Sequence, residues 1–307
     1  MKKYEARKRL MGSDFELIVC GEKEEECSSW LNNGITEIQR LEYLLTAFSD
    51  TSETARINLN AGISPVKVEI EVWTLIQRCI HLSGLTQGAF DITSAALKAL
   101  YSFKHKTVAW PDKQALTKAL QKTGYYHIEL RDNHEVYLKR KGMRIGFGAI
   151  GKGYAADCVK RLWVNAGVTS GVVNASGDLT AWGLQPDGSP WKIGIANPDH
   201  PQQIMMWLPV DNASVATSGN YEQFFDHEGI RYSHNIDPAT GLPARFLKSV
   251  TIVSPSAELS DALATAVTIM GIEIGMDFVN QLPDVHCIII DEQNKIFTSE
   301  KINTHAS

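Results

Sequence analysis

Apolar positions recur at helical spacing early in the chain, where Ile35, Ile38, Leu41, Leu44 and Leu45 predict an amphipathic helix over residues 34–47. A second helical pattern covers 72–82 with Gly84 as its expected stop, and residues 112–122 after Pro111 read as a short polar helix. Strand-like runs at 127–130 and 135–139, joined through Asp132-Asn133, predict a hairpin. Residues 152–166 read as a helix closed by Gly167, and strands are expected at 171–174, 191–195, 203–210 and 249–254. The last of these feeds a helix over 257–270, with Ser256 as N-cap and Gly271 as stop. A further apolar run at 285–290 predicts a late central strand. Helices and antiparallel-looking strands without regular alternation predict an α+β fold. Length alone permits one large domain or two smaller ones, and no repeat or Pro/Ser-rich linker marks a boundary.

Composition agrees with that organisation: 44% of the 307 residues are hydrophobic, enough for a substantial core. A net charge of −5 excludes a general nucleic-acid surface, so a polyanionic ligand must be held by a local positive device. The five cysteines, Cys20, Cys27, Cys79, Cys158 and Cys287, are scattered without CxxC spacing. They indicate neither a zinc site nor a disulfide framework and fit a reducing compartment. The basic start (Lys2, Lys3, Arg7, Lys8, Arg9) is followed by a segment that Asp14 and Glu16 interrupt, which argues against a signal peptide. Leu17-Ile18-Val19-Cys20 is too short an apolar run for a lipoprotein cleavage box and reads as a strand ending at Cys20-Gly21. No stretch approaches the roughly 18 apolar residues of a membrane span. The expectation is a cytoplasmic protein, not an integral membrane one.

Three local patterns carry candidate chemistry. Gly146-Phe-Gly148-Ala-Ile-Gly151-Lys152-Gly153 lies between a strand-like segment and a helix, where backbone N–H groups and the helix N-terminus could hold phosphate. Its glycines also spell G-x-G-x-x-G, and nearly a Walker A loop with Gly153 where Ser or Thr should stand; a purely structural turn is the third reading. Asp261 and Thr265 stand four apart on an otherwise apolar helix and share a face. A carboxylate and a hydroxyl there suit magnesium, unless Asp261 lies on the exposed edge and Thr265 bonds back to the backbone. Finally, Thr217-Ser218-Gly219-Asn220-Tyr221 precedes His234-Asn235-Ile236-Asp237-Pro238, a His before an Asp-Pro turn. That His is either a proton carrier or a hydrogen-bonded structural residue.

In order, these segments resemble the FAD:protein FMN transferase family, the ApbE-like flavin transferases. The resemblance runs from Met11-Gly12-Ser13 to about Gly271. It includes Phe48-Ser49, Ser52-Glu53 and Asn58, then Gly88-Ala89-Phe90-Asp91-Ile92-Thr93. It continues through 148–155 with Asp157, Asn174-Ala175-Ser176-Gly177-Asp178, Thr217-Ser218-Gly219, 234–241 and Asp261 to Thr265. The resemblance implies a single domain over 1–307, its core at about 10–292 with a short C-terminal tail, built of largely antiparallel sheets with packed helices and a T-fold-like core. It implies Mg2+ held by Asp261, Thr265 and the Ala149 carbonyl, with Lys152 facing the FAD pyrophosphate. Met11, Glu53, Asn58, Asp91, Asp178 and Thr217 would line the flavin or adenine pocket, and His234 and Asp261 would serve catalysis.

The implied reaction passes FMN from FAD to a Thr or Ser hydroxyl of an acceptor protein and releases AMP. FAD hydrolysis to FMN and AMP, a non-catalytic FAD-binding protein and a Rossmann-type oxidoreductase are the alternatives. The sequence departs from relatives at Gly151, usually alanine, at Ser176, usually glycine, and around Glu222 and Gln223, where an Arg is common.

Overall fold

A computed structural model describes residues 1–101, 110–219, 224–227, 230–300 and 302. The chain opens with the hairpin β1 (Lys2–Leu10) and β2 (Ser13–Gly21). Met11 and Gly12 close it, both at positive φ, as a two-residue hairpin turn demands. Helix α1 (Glu24–Leu45) buries Cys27, Leu31, Ile38, Leu41, Leu44 and Leu45 on one face, and α2 (Glu53–Leu59) starts at an Ser52 cap whose hydroxyl accepts from Ala55 N. Strand β3 (Val66–Lys67), α3 (Ile70–Leu85), α4 (Ala95–Lys98) and α5 (Lys113–Leu120) follow, then the hairpin β4 (Ile128–Arg131) and β5 (Glu135–Leu138). Helix α6 (Gly151–Asn165) follows the glycine loop.

The second half is mostly strand: β6 (Gly171–Ala175), β7 (Asp178–Trp182), β8 (Trp191–Asn197), β9 (His200–Val210), β10 (Ala213–Gly219), β11 (Phe224–His227), β12 (Ile230–Ser233) and β13 (Leu247–Ser254). Helices α7 (Ala257–Met270) and α8 (Ile272–Asn280) precede β14 (His286–Asp291) and β15 (Ile296–Thr298). The main sheet has eight strands in the order β1-β2-β6-β7-β10-β13-β14-β15, and every described strand pair is antiparallel. The mixed α+β architecture is therefore the expected one. A Rossmann unit, which needs parallel βαβ crossovers, is absent among the described strands.

Alternation along the strands gives the sheet two buried faces. Phe15, Leu17, Val19 and Val173 meet α1 and α6, where Trp163 fills the space beside Gly34; Ala216, Val250 and Ile252 meet α7. On the outer face Ile18, Val172, Leu179 and Val215 pack against Trp191, Ile195, Leu208 and Val210 of the β8–β9 hairpin.

Several elements differ from expectation. Helix α1 begins ten residues before the predicted start, at Glu24, and α3 runs through Gly84 to Leu85. The backbone turns only at Gln87 and Gly88, both at positive φ. Strand β14 is buried from Cys287 to Asp291 but lies next to last in the sheet, so it is not central. All five cysteines are buried free thiols. No described helix is long and apolar enough to cross a membrane.

Candidate active site

The N-termini of α6 and α7 pack against each other, and small residues permit it. A methyl group at Gly153 would collide with the Ala257 carbonyl, so this glycine serves close approach between helices. Asp157, one turn further along α6, caps α7: its carboxylate accepts from Ala257 N at 3.0 Å, Glu258 N at 2.9 Å and the Ser256 hydroxyl at 2.8 Å. The first turn of a helix has N–H groups without intrahelical partners, and one of these, Gly153 N, donates to Asp261 Oδ2 at 3.1 Å. Asp261 is therefore buried, at 6% exposure, and does not lie on an exposed helix edge.

The glycine loop is held from behind by two other segments. Asn58 pairs with the Ile145 main chain in both directions, accepting at 2.8 Å and donating at 3.0 Å. Gly146 N donates to Ile92 O at 2.9 Å, directly after Asp91. Asp91 accepts from the Thr93 amide and hydroxyl on one oxygen and from Tyr125 N on the other. Burial raises its pKa against those three hydrogen bonds. Glu53 accepts from Glu69 N at 2.9 Å, and burial likewise raises its pKa. Met11 reaches the loop from the β1–β2 turn: a Cβ built on Gly151 would lie 3.5 Å from its Cε.

These constraints leave a cavity of ≈ 40 Å³ lined by Gly148, Ala149, Lys152, Asp178, Thr217, His234, Asp261 and Thr265. Met11, Glu53, Asn58 and Asp91 do not line it; Met11 lies near its glycine loop, Asn58 braces the loop and Asp91 holds the turn beside its second anchor. Lys152 forms an ion pair with Asp178, which is 3% exposed. Burial raises the Asp178 pKa, opposed by Lys152 and the Thr217 main chain. Burial and then the charge of Asp178 push Asp261 up to about 7, against the weaker pull of Lys152, Gly153 N and Lys98.

Thr217 divides its contacts. Its hydroxyl lies 2.9 Å from the Thr251 hydroxyl and it also lines a much larger cavity, ≈ 1100 Å³, beneath the β8–β9 hairpin. That larger space holds none of the other predicted site residues, so the small cavity is the candidate chemical centre. His234 is half-buried beside Asn235, whose amide donates to the Ser218 hydroxyl at 2.7 Å. Asp237 accepts from Ala239 N and the Thr240 hydroxyl and so stabilises the Asp-Pro turn. Asn220, Tyr221, Glu222 and Gln223 lie outside the described residues. Lys98, Ser218 and Asn235 join the cavity unpredicted. Ser218 and Asn235 stand inside the Thr217-Ser218-Gly219 and His234-Asn235 motifs, whereas Lys98 follows Asp91-Ile92-Thr93 by several residues with no local pattern to mark it.

The donor set suits a hard cation. Asp261, Thr265 and the Ala149 carbonyl offer oxygen only. The Asp261 carboxylate is destabilised as an anion by burial and by Asp178, Lys152 and Lys98 offset this only in part, and a bound cation would supply the remaining positive charge. The volume holds an ion with an oxygen or so beside it, at about 30 Å³ per water, and no flavin ring. The larger parts of a dinucleotide would lie beyond it.

Comparison with known proteins finds relatives over most of the chain. The ApbE family model matches residues 11–289. The FAD:protein FMN transferase of Treponema pallidum is 32% identical, covering 90% of this chain and 81% of that protein. The Vibrio cholerae protein of the same name is 31% identical, covering 89% of this chain and 84% of its own. The crystal structure of the ApbE protein from Thermotoga maritima superposes with a TM-score of 0.90 at 30% identity, covering 97% of both chains. The flavin transferase ApbE from Vibrio cholerae gives 0.87 at 26% identity, again covering 97% of both. With a match over most of its length and relatives above 30% identity, the chain belongs to the ApbE family.

Proposed function

We propose that this protein transfers the FMN half of FAD to a Thr or Ser hydroxyl of an acceptor protein, with Mg2+ at Asp261, Thr265 and the Ala149 carbonyl. The observation that carries the reading is the buried Asp261 beside Thr265, Lys152 and His234 in one cavity of an ApbE-family fold. When bound, Mg2+ supplies positive charge to the pyrophosphate oxygens.

The chain's own residues then have separable tasks. Lys152, held by Asp178, faces the pyrophosphate from the first turn of α6, where unpaired N–H groups also favour anions. The acceptor oxygen forms a bond to the FMN phosphorus as the bond from that phosphorus to the bridging oxygen breaks. The electron pair of the broken bond leaves on AMP, and the hydroxyl proton passes to a base, for which His234 is placed on the cavity wall. Asn58, Asp91 and Met11 act through the glycine loop, keeping its main chain in place. Five buried thiols support a reducing, cytoplasmic setting.

Incubating the protein with FAD, Mg2+ and a panel of acceptor peptides tests the reading. Flavin covalently bound to a peptide, with equimolar AMP, is expected. Asp261→Ala should reduce AMP release by a factor of about 100 or more. Release of AMP with free FMN and no flavinylated peptide would support the hydrolase alternative and remove the transferase.

A further inference from the structure

Two lysines line the cavity, and their surroundings differ. Lys152 is paired with Asp178. Lys98 ends α4 and is half-buried, and among the described residues no hydrogen bond or ion pair engages its ammonium group. Its position is fixed by its neighbours. Leu97 and Tyr101 pack with Tyr232 and Ile236, on either side of His234, and the Tyr101 hydroxyl donates to Gly241 O at 2.8 Å. These contacts present Lys98 to the same space as Ala149, Asp261 and Thr265. Burial lowers its pKa and the charge of Asp261 only partly opposes this. Among the described residues, an ammonium group so placed has no acceptor to repay its desolvation.

We propose that Lys98, together with Lys152, binds the substrate pyrophosphate and neutralises the oxygen on which AMP departs. The proposal rests on the flavin-transfer reading above and adds a substrate contact on this chain's own α4. The leaving oxygen gains negative charge as its bond to the FMN phosphorus breaks. A cation already enclosed at that point stabilises the transition state more than a solvated one would.

ADP reads this contact without turnover, because it carries adenosine and two phosphates but no FMN. With saturating Mg2+, calorimetry should show Lys98→Gln weakening ADP binding by about 10- to 100-fold, as loss of a charge-assisted contact predicts. Lys98→Arg should remain within a few-fold of wild type, and Lys98→Gln should keep its riboflavin affinity and thermal midpoint. Unchanged ADP affinity in Lys98→Gln, with tighter Mg2+ binding or without it, would overturn the proposal, since Lys98 would then at most neutralise Asp261. Parallel loss of riboflavin and ADP binding would overturn it too, by showing general damage to the pocket. If wild-type protein with Mg2+ binds neither ADP nor FAD, the flavin-transfer reading itself fails, and this inference with it.

Discussion

Asp261 is an acid whose folded environment favours its proton, because burial and then the nearby charge of Asp178 raise its pKa to about 7. An unfolded aspartate titrates at about 3.9, so between those values the folded state holds more protons than the unfolded one. Stability of the metal-free protein therefore falls as pH rises through this window. In EDTA, Asp261→Asn should be more stable than wild type at pH 8, by about 4 kcal/mol at most, and show little advantage at pH 4. Urea unfolding at the two pH values measures the difference; equal gaps would show that Asp261 is not the titrating group. The Asp261–Thr265 pair was legible in the sequence because helical spacing fixes a shared face. Its burial was not, because that depends on the distant Gly153 approaching α7. The supporting roles of Asn58 and Asp91 were hidden for a related reason, since their partners Ile145 and Tyr125 are far along the chain.

The α6–α7 contact shows how neighbouring glycines can have opposite tolerances. A Cβ at Gly151 would sit 3.4 Å from Phe147 Cβ and 3.5 Å from Met11 Cε, ordinary contacts, and its φ is not in the left-handed region. Gly151→Ala should therefore be neutral or raise stability by up to about 1 kcal/mol through helix propensity. Gly153→Ala must push the Ala257 carbonyl away and strain the Gly153–Asp261 hydrogen bond. A loss of about 2–4 kcal/mol is expected, with weaker Mg2+ binding. Denaturant midpoints of the two variants provide the comparison, and similar values would refute the close-packing role. The elements themselves were legible where a local rule sufficed, as with Ser256 capping and Gly271 ending α7. They were less so where polar residues dominate: the first turns of α1 face the core mainly through Cys27 and Leu31, too sparse a pattern to read. Gly84 misled as a stop because a glycine without positive φ can simply continue a helix.

At the scale of the molecule, the cavity gathers α4, the glycine loop and α6, the ends of β7 and β10, the turn at His234 and α7. These segments are spread over most of the chain, so their order was readable while their convergence was not. Convergence has a thermodynamic consequence. A ligand that binds only the assembled site stabilises the whole fold by mass action, about 2.7 kcal/mol at a free concentration 100 times Kd. Mg2+ with ADP should therefore raise the thermal midpoint of wild type by several degrees, given the usual few degrees per kcal/mol for a chain of this size. Asp261→Ala removes a carboxylate ligand and leaves the Lys152–Asp178 pair in place. It should lose the Mg2+-dependent part of that shift while its midpoint without ligand stays at or above that of wild type, because an ill-solvated carboxylate has been removed. Scanning calorimetry with and without Mg2+ and ADP separates these effects. An Mg2+-dependent shift of equal size in both proteins would place the metal elsewhere, and a lower ligand-free midpoint would show that Asp261 supports the fold as well as the site.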